Sequence, residues 1–182
     1  MIKHPEFSLV DRVKLEKMSW EAFEQKLVQM LLWLEVNQFL CVQAKAPSMA
    51  YIQIGITEGS LRAETASNRI RKGEHVLTEP QMAALLDLGW RPPADGPTGS
   101  PNYYRDFPWP VMAADIARLT VRTLSEVLDV PAPSELGFKS GSWDGSPPII
   151  DVLIATFDTF ASAKVEWPTG DPQPYQRGSE MN

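Results

Sequence analysis

The sequence predicts an α+β fold in which an antiparallel β-sheet carries its helices on one face. Three observations lead there. Apolar residues recur at three- and four-residue spacing from Ser19 to Leu34, as a helix with one buried stripe requires. Three short runs with a period of two follow directly, QFLCVQA, AYIQIGI and SLRAETAS. The helical period then returns twice, over 77–89 and from Pro110 onward.

In the first helix Trp20, Phe23, Leu27, Met30, Leu31 and Leu34 form the stripe, with Glu24, Lys26 and Gln29 between them. Ser19 can accept from a free amide of the first turn, and Glu21 sits near the positive end of the helix dipole. In the second extended run Ile52, Ile54 and Ile56 alternate with Tyr51, Gln53 and Gly55, so one sheet face is core and the other more polar. The connections KAPSM and TEG are short enough for hairpins, and Gly59 supplies a permissive turn residue. The three runs therefore form an antiparallel meander.

The stretch LTEPQMAALLDLGWRPP carries a dense set of local signals. Thr78 and Gln81 satisfy the capping-box spacing, and Leu77 and Met82 can staple the entry. Pro80 stands in the first turn, and Gly89 where a left-handed cap is expected. Met82, Leu85, Leu86 and Leu88 give this helix its apolar side. A loop rich in Pro and Gly, RPPADGPTGSP, leads to NYYRDFPW, whose two tyrosines open a further strand. A second long helix starts at Pro110, aligns Met112, Ile116, Leu119, Thr123, Val127 and Leu128, and stops at Pro131 and Pro133. SELGFKSGSWDGSPP reads as a short strand inside a loop. Ile149, Ile150, Leu153, Ile154, Phe157 and Phe160 favour a last helix, while the β-branched start of that run leaves a strand open. The organisation expected is an extension over 1–18, one domain over 19–167 and a polar tail over 168–182.

Composition narrows the function. The 182 residues are 43% hydrophobic and 22% charged, with a net charge of −6, which suits a soluble globular protein and disfavours nucleic acid. The basic cluster Arg62, Arg69, Arg71 and Lys72 reads as a solvated loop on such a chain. Cys41 is the only cysteine, so no intrachain disulfide is expected; its apolar neighbours make it a small buried hydrophobe in a reducing cytoplasm. No secretory signal and no apolar run of membrane-spanning length is visible, so no membrane partner is expected.

Only His4 and His75 are present, which gives no zinc set and no Cys/His nucleophile pair. Asp144, Asp151 and Asp158 recur every seven residues, the spacing of a solvated stripe rather than of a calcium loop. Neither a phosphate-cradling glycine motif nor a G-x-S-x-G elbow occurs. No catalytic residue, cofactor or metal is therefore assigned, and the expectation is a non-enzyme. Trp90, Tyr103, Tyr104, Phe107 and Trp109 cluster between two helices, where they serve either a binding surface or the core.

The order of these pieces resembles the TY-Chap family of actinobacteria and their phages, related to type III secretion chaperones and YbjN-like proteins. The matching residues are Tyr51 and Gln53; Leu61, Arg62, Ala63 and Glu64; Leu77, Thr78 and Gln81; Leu88, Gly89, Trp90 and Pro93. Asn102, Tyr103 and Tyr104, then Thr123, Leu124, Glu126 and Val127, complete a resemblance covering 19–137. It implies a secretion-chaperone-like α-β-β-β-α-β-β-α sandwich, a homodimer in many relatives, and binding of an extended protein or peptide client rather than catalysis. Trp90, Tyr103, Tyr104 and Trp109 are the candidate client contacts, with core or surface both open for Trp90. Two alternatives stand beside this reading: a dedicated inhibitor or immunity-type partner, and a small-molecule enzyme with a non-contiguous site.

Overall fold

A computed structural model describes residues 18–45, 48–57, 59–96, 98–108 and 113–145. Helix α1 spans Trp20–Leu32, and Ser19 caps it by accepting from the Ala22 amide at 3.2 Å. Asn37, at φ 68°, takes a left-handed turn into β1, Gln38–Ala44. Strands β2, Tyr51–Thr57, and β3, Ser60–Thr65, complete the meander. Helix α2, Glu79–Asp87, precedes β4, Tyr103–Pro108; α3, Ala113–Arg122, precedes β5, Leu136–Ser142.

The sheet order is β4-β3-β2-β1-β5, antiparallel throughout. The α+β class with an antiparallel sheet and helices on one face is therefore observed. The linear order differs from the implied sandwich, because α3 falls between β4 and β5 instead of after both. SELGFKSGS is also more than a short strand in a loop. Its seven strand residues pair with β1 along the whole length of that strand.

The capping box, the first-turn proline and the glycine at the exit of α2 all form, whereas Leu86, expected on the apolar side, is 49% exposed. The Gln81 amide donates to Thr78 Oγ1 at 3.4 Å, and the Thr78 amide donates to Gln81 Oε1 at 3.0 Å. At the exit Gly89 takes φ +86°, and Arg105 Nη1 donates to the Leu88 carbonyl at 2.9 Å. A Cβ at position 89 would meet that same Nη1 at 2.9 Å, so glycine serves both the backbone and the cap.

Helix α3 continues as a π turn over Thr123–Val127, which periodicity did not predict. There the Leu128 amide donates five residues back to the Thr123 carbonyl at 3.0 Å, while Thr123 Oγ1 donates to the Leu119 carbonyl at 2.7 Å and Ser125 Oγ to that of Val121 at 2.8 Å.

Alternation divides the sheet into two faces. Leu40 and Val42, Ile52 and Ile54, Leu61 and Ala63, Tyr103 and Phe107, and Leu136 and Phe138 point to the core. Phe23, Leu27 and Met30 of α1, Leu85 of α2 and Ile116 of α3 cover them, and Phe23 stacks on Phe138 with centroids 5.9 Å apart. All three described α-helices lie on this side. Expectations for 1–17 and 146–182, including Asp151, Asp158 and the run Ile149–Phe160, lie outside the described residues, as do Trp109, Pro110 and Met112.

Candidate functional site

No described helix packs on the other face of the sheet. Two rows of side chains cross all five strands there. One runs Asp106, Arg62, Gly55, Phe39, Gly141; the other runs Tyr104, Glu64, Gln53, Cys41, Lys139.

The β5 end of the first row is apolar. Phe39 lies over Gly141, where an added Cβ would stand 2.6 Å from the ring's Cζ. Trp143, the residue after β5, contacts Phe39 with centroids 5.7 Å apart and reaches over Gly55, where a Cβ would collide with Cη2 and lie 3.1 Å from Cζ2. Glycine within a strand often marks such a close approach. One side of the indole is thus held by the sheet, and Trp143 remains 50% exposed.

The β4 end is polar and stacked. Arg62 grips Asp106 through two bonds, Nε to Oδ1 at 2.7 Å and Nη2 to Oδ2 at 3.1 Å. The carboxylate in turn holds the Arg62 guanidinium above its usual range. Its Cζ lies 4.8 Å from the Tyr104 ring centroid, with that of Arg91 at 6.0 Å. Arg91 also bridges to Tyr104 along the outer edge of β4, which covers part of that edge.

Between these ends burial pushes the Cys41 thiol up to about 12, with Lys139 opposing. Burial likewise raises the Tyr51 phenol, joined by Cys41 and Glu64 and opposed by Arg71 and by a side-chain hydrogen bond with Asn102. Cys41 is half-buried, less enclosed than its apolar neighbours suggested, and burial favours its protonated thiol over the nucleophilic thiolate. Among the described residues no group of three His, Cys, Asp or Glu side chains could hold a metal ion.

The four aromatics named from the sequence do not converge. Trp90 is 2% exposed, and its Nε1 donates to Thr123 Oγ1 at 2.9 Å, so the indole sits in the core against the π turn. Tyr103 is buried on the core face, and burial raises its phenol. Tyr104 alone lies on the helix-free face, and Trp109 is outside the described residues.

The basic cluster is not one solvated loop either. Arg62 belongs to the sheet face, Arg69 pairs with Asp95, and Arg71 is buried with its Nε on the Ala66 carbonyl. Carbonyls left over by the turn after β3 draw it inward. The residues missed from sequence are Phe39, Gly55, Gly141 and Trp143. A faint signal existed for one of them, since Gly55 occupies an outward place of an otherwise regular strand.

Residues 15–142 match the model of TY-Chap3, described as T3SS (YopN, CesT) and YbjN peptide-binding chaperone 3. The match spans well over half of the chain, which therefore belongs to this family. No curated protein and no solved structure matches the chain. No helix among the described residues is long and apolar enough to cross a membrane.

Proposed function

We propose that this TY-Chap3 member is a non-enzymatic, chaperone-like module that lays an extended protein or peptide client across the helix-free face of its sheet, in the cytoplasm. Membership in a peptide-binding chaperone family supports the client class. The observation that carries the choice of surface is Trp143, half exposed while one side of its indole is already held against Gly55 and Phe39. An aromatic fixed in this way loses little conformational freedom when a second apolar group covers it.

Tyr104 extends the surface toward β4, stacked beneath Arg62 and flanked by Arg91. Trp90 and Tyr103 then support the frame from the core side, while Trp109 keeps its candidacy as a client contact from sequence. A homodimer is compatible with this use of the face, because the three helices leave it clear.

Pull-down of the full chain from its native cell with mass spectrometry, and binding to arrays of twelve-residue peptides, test the proposal. Trp143→Ala is expected to weaken peptide binding ~10-fold or more, the size typical of an interface anchor, with little change in melting temperature. If no apolar peptide binds at high micromolar concentration, or if Trp143→Ala binds as the native chain does, the assignment fails. A single tight partner instead of a range of peptides would indicate the dedicated-inhibitor role.

A further inference from the structure

Arg71 follows the turn that leaves β3 and is 6% exposed. Its Nε donates to the Ala66 carbonyl at 3.0 Å and Nη1 to that of His75 at 3.4 Å. Nη2 is closed to solvent and meets no acceptor. Among the described residues the neighbouring cations Arg62, Arg69 and Arg91 have carboxylate partners, and Arg71 has none. A buried guanidinium with an unpaired N–H and no counter-charge is expensive, and such groups call for a missing anion or water.

Its surroundings lie at one end of the face described above. Two steps beyond the Gln53–Glu64 pair, the β2–β3 register brings Tyr51 beside Ala66; one step beyond Thr65–Tyr103, the β3–β4 register brings Asn102 beside it. Asn102, Ala66 and Tyr51 thus form a third row, on the side of Tyr104 and Gln53. Asn102 Nδ2 donates to Glu64 Oε2 at 3.1 Å, while its Oδ1 is buried without a partner. The charge of Arg71 is felt at the Tyr51 hydroxyl, which ties the guanidinium to this end of the face. An unpaired cationic donor and an unpaired amide acceptor therefore accompany one row.

We infer that Arg71 is an anchor for a carboxylate of the bound peptide, with Asn102 Oδ1 accepting a peptide N–H beside it. The inference rests on the peptide-binding reading of this face. The one positive charge of Arg71, on a chain of net −6, suits a monoanion rather than a phosphate. The carboxylate comes from the client's C-terminus or from an Asp or Glu side chain. Because Nη2 is closed to solvent, its entry displaces part of the surrounding cover, at a cost that the new ion pair offsets.

Two measurements on the full chain test this. Acetate titrated into the ¹⁵N-labelled protein is expected to shift the Arg71 Nε–Hε signal and the backbone amides around Ala66 and Asn102 and to saturate, and Arg71→Gln to leave those backbone amides unmoved by acetate. Apolar ten-residue peptides are then compared in three forms: free C-terminus, C-terminal amide, and amide with one internal Glu. The free acid, the Glu form or both should bind ~10–100-fold tighter than the plain amide, and whichever gains identifies the source. Equal binding of all three with an unmoved Arg71 signal overturns the anchor and leaves the peptide reading intact. A saturating acetate shift with no peptide bound does the reverse, and silence in both overturns both. Should Arg71→Gln fail to fold, the native-chain titration and the three peptide forms still decide.

Discussion

Replacing Trp90 tests the division between frame and face most directly. The indole is 2% exposed within the main core, so truncation to Ala removes a large buried ring and leaves a cavity, at a cost of ~3–5 kcal/mol. Trp90→Phe loses the 2.9 Å bond from Nε1 to Thr123 Oγ1 and part of the buried ring. That hydroxyl still donates to the Leu119 carbonyl at 2.7 Å, so one acceptor site is orphaned, worth ~1 kcal/mol, and the missing ring atoms cost a further ~1–2 kcal/mol. At ~2–4 °C per kcal/mol for a domain of this size, Ala should lower the melting temperature by ~6–20 °C and Phe by ~4–12 °C. Urea unfolding followed by far-ultraviolet circular dichroism is the assay, because the chain's six tryptophans confuse a fluorescence signal. A loss under ~1 kcal/mol for Trp90→Ala, with peptide binding abolished, would put the indole at the client and refute its place in the frame.

Three further perturbations separate local from long-range causes. Thr78→Ala removes the hydroxyl half of the α2 capping box and should cost ~1 kcal/mol in urea unfolding; an unchanged midpoint would mean that the cap contributes nothing. Gly55→Ala puts a methyl where the Trp143 indole lies, so it should displace the ring and weaken peptide binding about as Trp143→Ala does; native affinity would contradict the contact. Cys41, pushed up to about 12 from an ordinary 9.0, favours its protonated form in the fold. That contribution is complete below pH ~9 and is lost as pH rises toward 12, so stability should fall with alkalinity over that window, and less so in Cys41→Ala. Disulfide-exchange labelling at pH 8 should also run far slower on the native than on the urea-unfolded chain, and equal rates would sink this account.

What the sequence disclosed follows from how far each signal reaches. The α2 cap needs four consecutive positions, and the isoleucine alternation of β2 needs five, so both are legible without the fold. The pairing of β5 with β1 joins residues roughly a hundred positions apart, and nothing local distinguishes SELGFKSGS from a loop strand. Trp90 looked ambiguous because its neighbours are a glycine, an arginine and two prolines, all surface-like. Its indole instead donates to Thr123 in the π turn, thirty-three positions away, a contact that periodicity cannot register. Arg71 misled for a related reason, since its partners are backbone carbonyls and carry no side-chain signature.

The candidate face was the least legible part, and its composition explains why. Binding surfaces are sought among aromatics close together in sequence, which singled out 90–109. Here Phe39 lies in β1 and Trp143 directly after β5, roughly a hundred positions away, and two glycines make room for them. A glycine inside a strand gives up roughly 0.5–1 kcal/mol relative to Ala, so Gly55 and Gly141 weaken the sheet unless something lies on them. In both places a ring does: Trp143 over Gly55 and Phe39 over Gly141. The sheet thereby holds a large aromatic side chain flat at its surface, where one side of the ring remains for a partner. The helices stabilise the opposite face, so the chain can keep this costlier arrangement without dismantling its core.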